Sequence, residues 1–196
     1  LALAVLDSGI GTRFIAAAGF IVLLPGVSLL LLGRRRTRAL ALPLTLCAFL
    51  LPLPTILGAE LGLLDASADG VAWVLRRAGL PTLREGPVVL VSNSAYSIGY
   101  NCTGFSFVYG GYAAAVLFAW TARSPARKVA LLLLPWPVAV FWNIVRLSAL
   151  ITLSVTVDPH LVHSFIHGLS GIAAFWMCMI TLYAAADREG LRRAFT

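Results

Sequence analysis

Cys102, Arg146 and His167 are the side chains in this chain best suited to chemistry, and each lies inside or at the edge of an apolar run. They occur as Asn101-Cys102-Thr103-Gly104, Asn143-x-x-Arg146 and His167-x-x-x-Gly171. A thiol attacks as its thiolate, which an adjacent cation or imidazolium favours. An imidazole can take the thiol proton and return it to a leaving amine. A guanidinium keeps its proton and carries a rigid fork of donors, suited to a developing oxyanion or a substrate carbonyl. The set therefore points to acyl transfer. Asn143, one turn from Arg146 on the same helical face, is placed to orient Arg146 or a substrate backbone.

Each residue also has a plainer explanation. Alone, Cys102 fits an inert membrane-edge thiol, Arg146 a snorkelling side chain and His167 a helix-packing histidine. An intramembrane Arg nevertheless costs about 2.5–3.5 kcal/mol on insertion scales, which asks for a purpose. Cys47 and Cys178 fall inside apolar runs and read as small hydrophobes, and three cysteines make no disulfide framework. His163 and His167 have the four-residue spacing of a zinc-protease helix, with His160 or Asp158 as a further ligand, but Ser164 stands where the catalytic Glu belongs. No metal and no cofactor are expected. Gly104, Gly110, Gly111, Gly168 and Gly171 are expected to let helices approach closely.

The elements that must position these groups are membrane helices. Of the 196 residues, 60% are hydrophobic and 12% charged, and the mean hydropathy is +0.91. This is far from a soluble globular composition. The net charge of +7 comes from basic residues at the ends of apolar runs, not interleaved with aromatics, so nucleic acid is not expected as a partner. Leu1 to Leu6 reads as the end of a longer apolar stretch, and no cleaved signal peptide is expected.

The chain reads as a single all-α polytopic membrane domain over residues 1–196. Five stretches approach or exceed the length needed to cross a bilayer: 14–32, 39–57, 103–121, 129–157 and 161–186. Pro135 and Pro137 predict a kink, or a late start of the regular helix, in the fourth. Arg34 to Arg38, Arg123 to Lys128 and Arg188 to Arg193 follow the first, third and fifth spans, which makes those loops cytoplasmic. The segment 60–101 is then exoplasmic. Within it Leu61, Leu64, Ala68, Val71 and Leu75 share one helical face, and Asp65, Asp69, Ala72 and Arg76 another. That predicts an amphipathic helix resting on the membrane surface. Gly79-Leu80-Pro81 ends it, Gly86-Pro87 makes a turn, and Val88 to Val91 predicts one arm of a short β-hairpin. Ser92 to Tyr100 reads as a polar, aromatic loop covering the site, with a solvated connector as the alternative.

The topology also sets depths. At about 1.5 Å per residue, Arg146 lies roughly 25 Å above Val129 in a core about 30 Å thick, and His167 about 9 Å into a helix entering near Leu161. Cys102 stands at the outer end of the third span. The three groups converge at the exoplasmic edge.

The same motifs, Cys102-Thr-Gly104, Asn143-x-x-Arg146 and His167-x-x-x-Gly171 with Phe175, resemble those of the exosortase/archaeosortase family over roughly 52–183. The resemblance implies a multi-pass protein of a prokaryotic cell membrane with cysteine transpeptidase chemistry and without the soluble sortase fold. It implies Cys102 as nucleophile, Arg146 as transition-state stabiliser and His167 as general acid/base, supported by Asn143, Asn101 and Gly104. It implies substrates that are exported proteins ending in a short motif, a transmembrane helix and a basic tail, in contact with membrane lipids. The competing class is a non-enzymatic transporter or assembly scaffold. A transporter favours paired repeats or polar residues near the midplane, and neither is evident.

Overall fold

The structure, a computed structural model, describes residues 14–50, 62–92, 94–99, 102, 104–160 and 165–186. The chain separates into two compact units, Leu1–Ile56 and Leu57–Thr196.

In the first unit, helix α1 (Phe14–Ala39) contains Pro25 and breaks at Gly33, whose φ of 73° and ψ of 169° suit a residue without Cβ. Thr37 Oγ1 closes the break by donating to the Gly33 carbonyl at 3.0 Å and sharing a hydrogen bond with Ser28 Oγ at 3.0 Å. Helix α2 (Ala41–Leu46) and a 3-10 turn (Cys47–Leu50) follow. They begin the second expected span, whose residues 51–57 lie outside the described residues.

The second unit is built on α4 (Phe105–Thr121), α5 (Pro125–Leu133), α6 (Pro135–Thr156) and α7 (Phe165–Ala185). Ser124 opens α5 by accepting from the Arg127 N–H at 3.2 Å, with Pro125 at the first helical position, where a missing N–H costs nothing. Leu134 keeps helical angles between α5 and α6. The expected break is therefore a short interruption before Pro135, and the rod starts at Pro125, earlier than Val129. Ile15–Ala39, Pro125–Thr156 and Phe165–Ala185 are long and apolar enough to cross a membrane, and α4 is a shorter apolar helix of 17 residues. The chain is a helical membrane protein.

Small residues let these helices close. A Cβ on Gly110 would stand 2.7 Å from the Phe175 ring, and one on Gly111 would stand 3.2 Å from Pro135. Gly168 departs from the expectation, since no described atom lies within 4 Å of a Cβ there. Trp142 Nε1 donates to Thr181 Oγ1 at 3.0 Å, and Arg127 Nη2 donates to the terminal carbonyls of Ala185 and Ala186 at 3.4 and 3.2 Å.

The segment before Cys102 forms α3 (Leu63–Arg77) and an antiparallel sheet of β1 (Thr82–Glu85), β2 (Val88–Val91) and β3 (Ser94–Ser97), in that order. The turn at Gly86 and the strand at Val88 appear where expected. The loop expected over Ser92 to Tyr100 instead contains β3, paired through Val89 with Tyr96 and Leu90 with Ala95. Ser-Ala-Tyr-Ser has little strand preference of its own, and the partner strand decides its conformation.

The amphipathic helix is present, but its place is corrected. Ala68, Val71, Ala72 and Leu75 share a core with Val89, Val91 and Ile98 of the sheet and with Leu147 and Ile151 of α6, so its apolar face meets protein and not a membrane surface. Ala72, expected on the polar face, is 1% exposed. Gly70 lies directly against Ile144. Outside, Arg84 of β1 pairs with Asp65 and with Asp69, exposed ion pairs that orient the strand more than they stabilise it.

Candidate active site

Three helix-bounded segments bring the polar residues together. Cys102 lies in the turn entering α4, where its N–H donates to the Gly99 carbonyl at 2.8 Å. Gly104 follows with φ 76°, a left-handed conformation that favours glycine, and its carbonyl accepts from the Phe107 and Val108 N–H groups to start the helix. A Cβ at Gly104 would also lie 2.9 Å from Asn143 Cγ. The position is constrained twice.

His167, half-buried near the start of α7, faces both other groups. Its Nε2 is 3.8 Å from Cys102 Sγ and 3.2 Å from Arg146 Nη2. Because the guanidinium can only donate, the geometry assigns the Nε2 lone pair to face Arg146 and the thiol. Arg146, 8% exposed, is held along its length. Its Nε donates to Ser170 Oγ at 3.3 Å, its Nη2 also reaches the His167 carbonyl at 3.5 Å, and its Cζ lies 6.0 Å from the Phe107 ring centroid. Ser170 Oγ in turn donates to the His167 carbonyl at 2.8 Å. Gly171 packs beside the guanidinium, where a Cβ would sit 3.6 Å from Nη2 in ordinary van der Waals contact.

Asn143 is fully buried and does not touch Arg146 in the way the helical spacing suggested. Its Nδ2 donates to the Cys102 carbonyl at 2.9 Å and to Ser67 Oγ at 3.0 Å. Asn143 therefore ties the Cys102 turn to α3. Asn101 lies outside the described residues, as does His163. His160 is exposed, and its backbone N–H donates to Asp158 Oδ1 at 2.9 Å. Among the described residues no three His, Cys, Asp or Glu side chains converge to hold a metal. Cys178 is buried in the bundle core, and Cys47 lies in the first unit.

Two contributors were missed from the sequence, Ser67 and Ser170. A signal existed for each. Ser67 interrupts the stripe Leu63, Ser67, Val71, Leu75, a polar residue on an otherwise apolar face, and Ser170 stands one turn after His167.

The cluster sits at one end of the bundle. By the helical rise, Arg146 is roughly 28 Å from Arg127, His167 roughly 28 Å from Ala186, and α4 spans about 25 Å from Gly104 to the basic loop that begins at Arg123. That separation matches a hydrocarbon core of about 30 Å. Helix α6 runs on about 15 Å past Arg146, and α3 and the sheet pack on that overhang.

Fold and site together define a multi-span helical membrane protein with a thiol, an imidazole and a guanidinium in contact at one end of its helices. The chain belongs to the transmembrane exosortase family, whose model (Exosortase_EpsH) matches residues 1–184. No curated protein and no solved structure matches it.

Proposed function

We propose that this exosortase is a membrane cysteine endopeptidase and transpeptidase that opens a peptide bond through a Cys102 thioester. The observation that carries the proposal is the contact of one nitrogen, His167 Nε2, with both Cys102 Sγ at 3.8 Å and Arg146 Nη2 at 3.2 Å. Nε2 takes the thiol proton, and the sulfur attacks the substrate carbonyl carbon as its π pair moves to oxygen. Once protonated, Nε2 can no longer accept from Arg146, so the Nη2 donor is released toward the oxyanion as that charge forms. The tetrahedral intermediate expels the amine, which receives the proton from Nε2, and an incoming amine or water then takes the acyl group from sulfur. Asn143 and Ser67 hold the turn that aims the thiol.

The basic loops at the other end of the bundle support a cytoplasmic location for that end and an exoplasmic one for the site. The substrates are exported proteins with a C-terminal motif, membrane helix and basic tail. An apolar groove of about 230 Å³ between α6 and α7, reaching Arg146 and Ser170, supports access for an apolar segment beside the site. The test is a mass-spectrometric search for a substrate adduct on Cys102 in cells carrying such a substrate. Cys102→Ala is expected to abolish adduct and processing, with Cys47→Ala and Cys178→Ala processing normally. Normal processing by Cys102→Ala ends the proposal.

A further inference from the structure

We propose that the outer edge of β3 is the substrate-docking edge: an extended peptide pairs with Ala95 and Ser97 as a fourth strand, which lays its scissile carbonyl over Cys102. This rests on the acyl-transfer role of Cys102 and adds how the peptide is held.

Strand β3 ends the sheet, and no described strand pairs with its far side. Ser94, Ala95 and Ser97 are exposed. The Ile98 N–H donates to the Pro87 carbonyl at 2.9 Å, on the β2 side. Alternation along a strand then turns the main-chain groups of Tyr96 toward β2 and those of Ala95 and Ser97 outward. Such an edge is a ready template for another strand, and peptide recognition by strand addition uses it.

The edge is also joined to the nucleophile. From Ser97 the chain passes Ile98 and Gly99 into the turn closed by the Cys102 N–H on the Gly99 carbonyl, which fixes strand and thiol relative to each other. Where they meet is a cavity of about 30 Å³ walled by Tyr96, Ser97, Ile98 and Leu147, with Cys102 and His167 at its side. Tyr96 is pinned to α6 by its hydroxyl, which donates to Ser154 Oγ at 3.2 Å. A space this small beside Cys102 and His167 favours a methyl-sized group over a large side chain. The residue supplying the attacked carbonyl is therefore small, glycine or alanine in size.

Purified protein in micelles is treated with acetyl-tetra-alanyl chloromethyl ketone, which alkylates the Cys102 thiolate with loss of chloride, and separately with iodoacetamide, which needs no docked strand. N-methylation of the peptide probe one residue at a time is expected to slow Cys102 alkylation about tenfold at alternate residues, the scale of one or two backbone hydrogen bonds. Phenylalanine in place of the terminal alanine is expected to slow it at least as much. Ser97→Pro, which removes an outward N–H, is expected to lower the ratio of peptide-probe to iodoacetamide rates about tenfold relative to Ser97→Ala. An N-methylation profile with no alternation overturns edge docking, as does an equal rate ratio in the two Ser97 variants. A Cys102 that iodoacetamide labels no faster than Cys47 is a different result, and it counts against the thiol chemistry instead.

Discussion

Replacing Arg146 by lysine keeps the charge and removes the fork, so it separates electrostatics from geometry. In the structure one guanidinium spans two partners: Nε on Ser170 Oγ at 3.3 Å and Nη2 on His167 Nε2 at 3.2 Å. A lysine ammonium is a compact point charge on a flexible stem and lacks the planar fork that holds both partners in this geometry. The resting protein then loses about one hydrogen bond, which costs on the order of 1 kcal/mol. The larger loss comes during reaction, when the donor released by His167 protonation is no longer aimed at the oxyanion. Loss of one such donor costs about 10²–10³ in rate, or about 2.7–4 kcal/mol. The assay is single-turnover thioester formation on Cys102 with purified Arg146→Lys, alongside substrate affinity and a check that helix content and elution volume match the parent protein. Acylation is expected to fall by that factor, with affinity changed by less than about threefold, because the interaction is made in the transition state. A folded Arg146→Lys protein that acylates near the parent rate refutes the argument, since charge alone would then suffice.

His167→Ala is expected to bring acylation close to background while His160→Ala and His163→Ala have mild effects and chelators none; comparable losses at all three, restored by zinc, refute the acid/base assignment. Asn143→Leu strips the donor from the Cys102 carbonyl and from Ser67 Oγ, and the carbonyl left without its donor costs about 1–3 kcal/mol. Its melting temperature should drop and its Cys102 alkylation slow, whereas a variant as stable and reactive as the parent shows that the clamp is idle. For topology, single cysteines at Thr37, Ser124 and Thr196 in intact cells should resist a membrane-impermeant maleimide, and labelling of these positions from outside overturns the assignment.

Much of this protein is legible without coordinates, because a bilayer imposes its thickness on the sequence. Apolar runs that approach or exceed bilayer length declare α4, the rod of α5 and α6, and α7, and polar groups inside them stand out because hydrocarbon penalises them. That is why Cys102, Arg146, His167 and Asn143 could be singled out, and why counting residues along helices put three of them at one depth. Depth is a one-dimensional quantity and says nothing of azimuth. Only the packing of α6 against α7 and of both against α4 turns a shared level into a shared hydrogen-bond network. The same gap explains the errors. An apolar stripe on α3 reports that something covers it, but not whether the cover is lipid or the side of α6, and so Ser67 on that stripe could not be paired with Asn143 from spacing alone. Sequence periodicity sees only local faces and points Asn143 at its own helix neighbour, whereas its partners come from α3 and the Cys102 turn. Strand β3 was invisible because four residues of weak preference become a strand only when β2 offers its edge. The chain itself determined which groups are costly enough to require a role, and tertiary packing decided which partners each would meet, because those partners lie far apart in sequence.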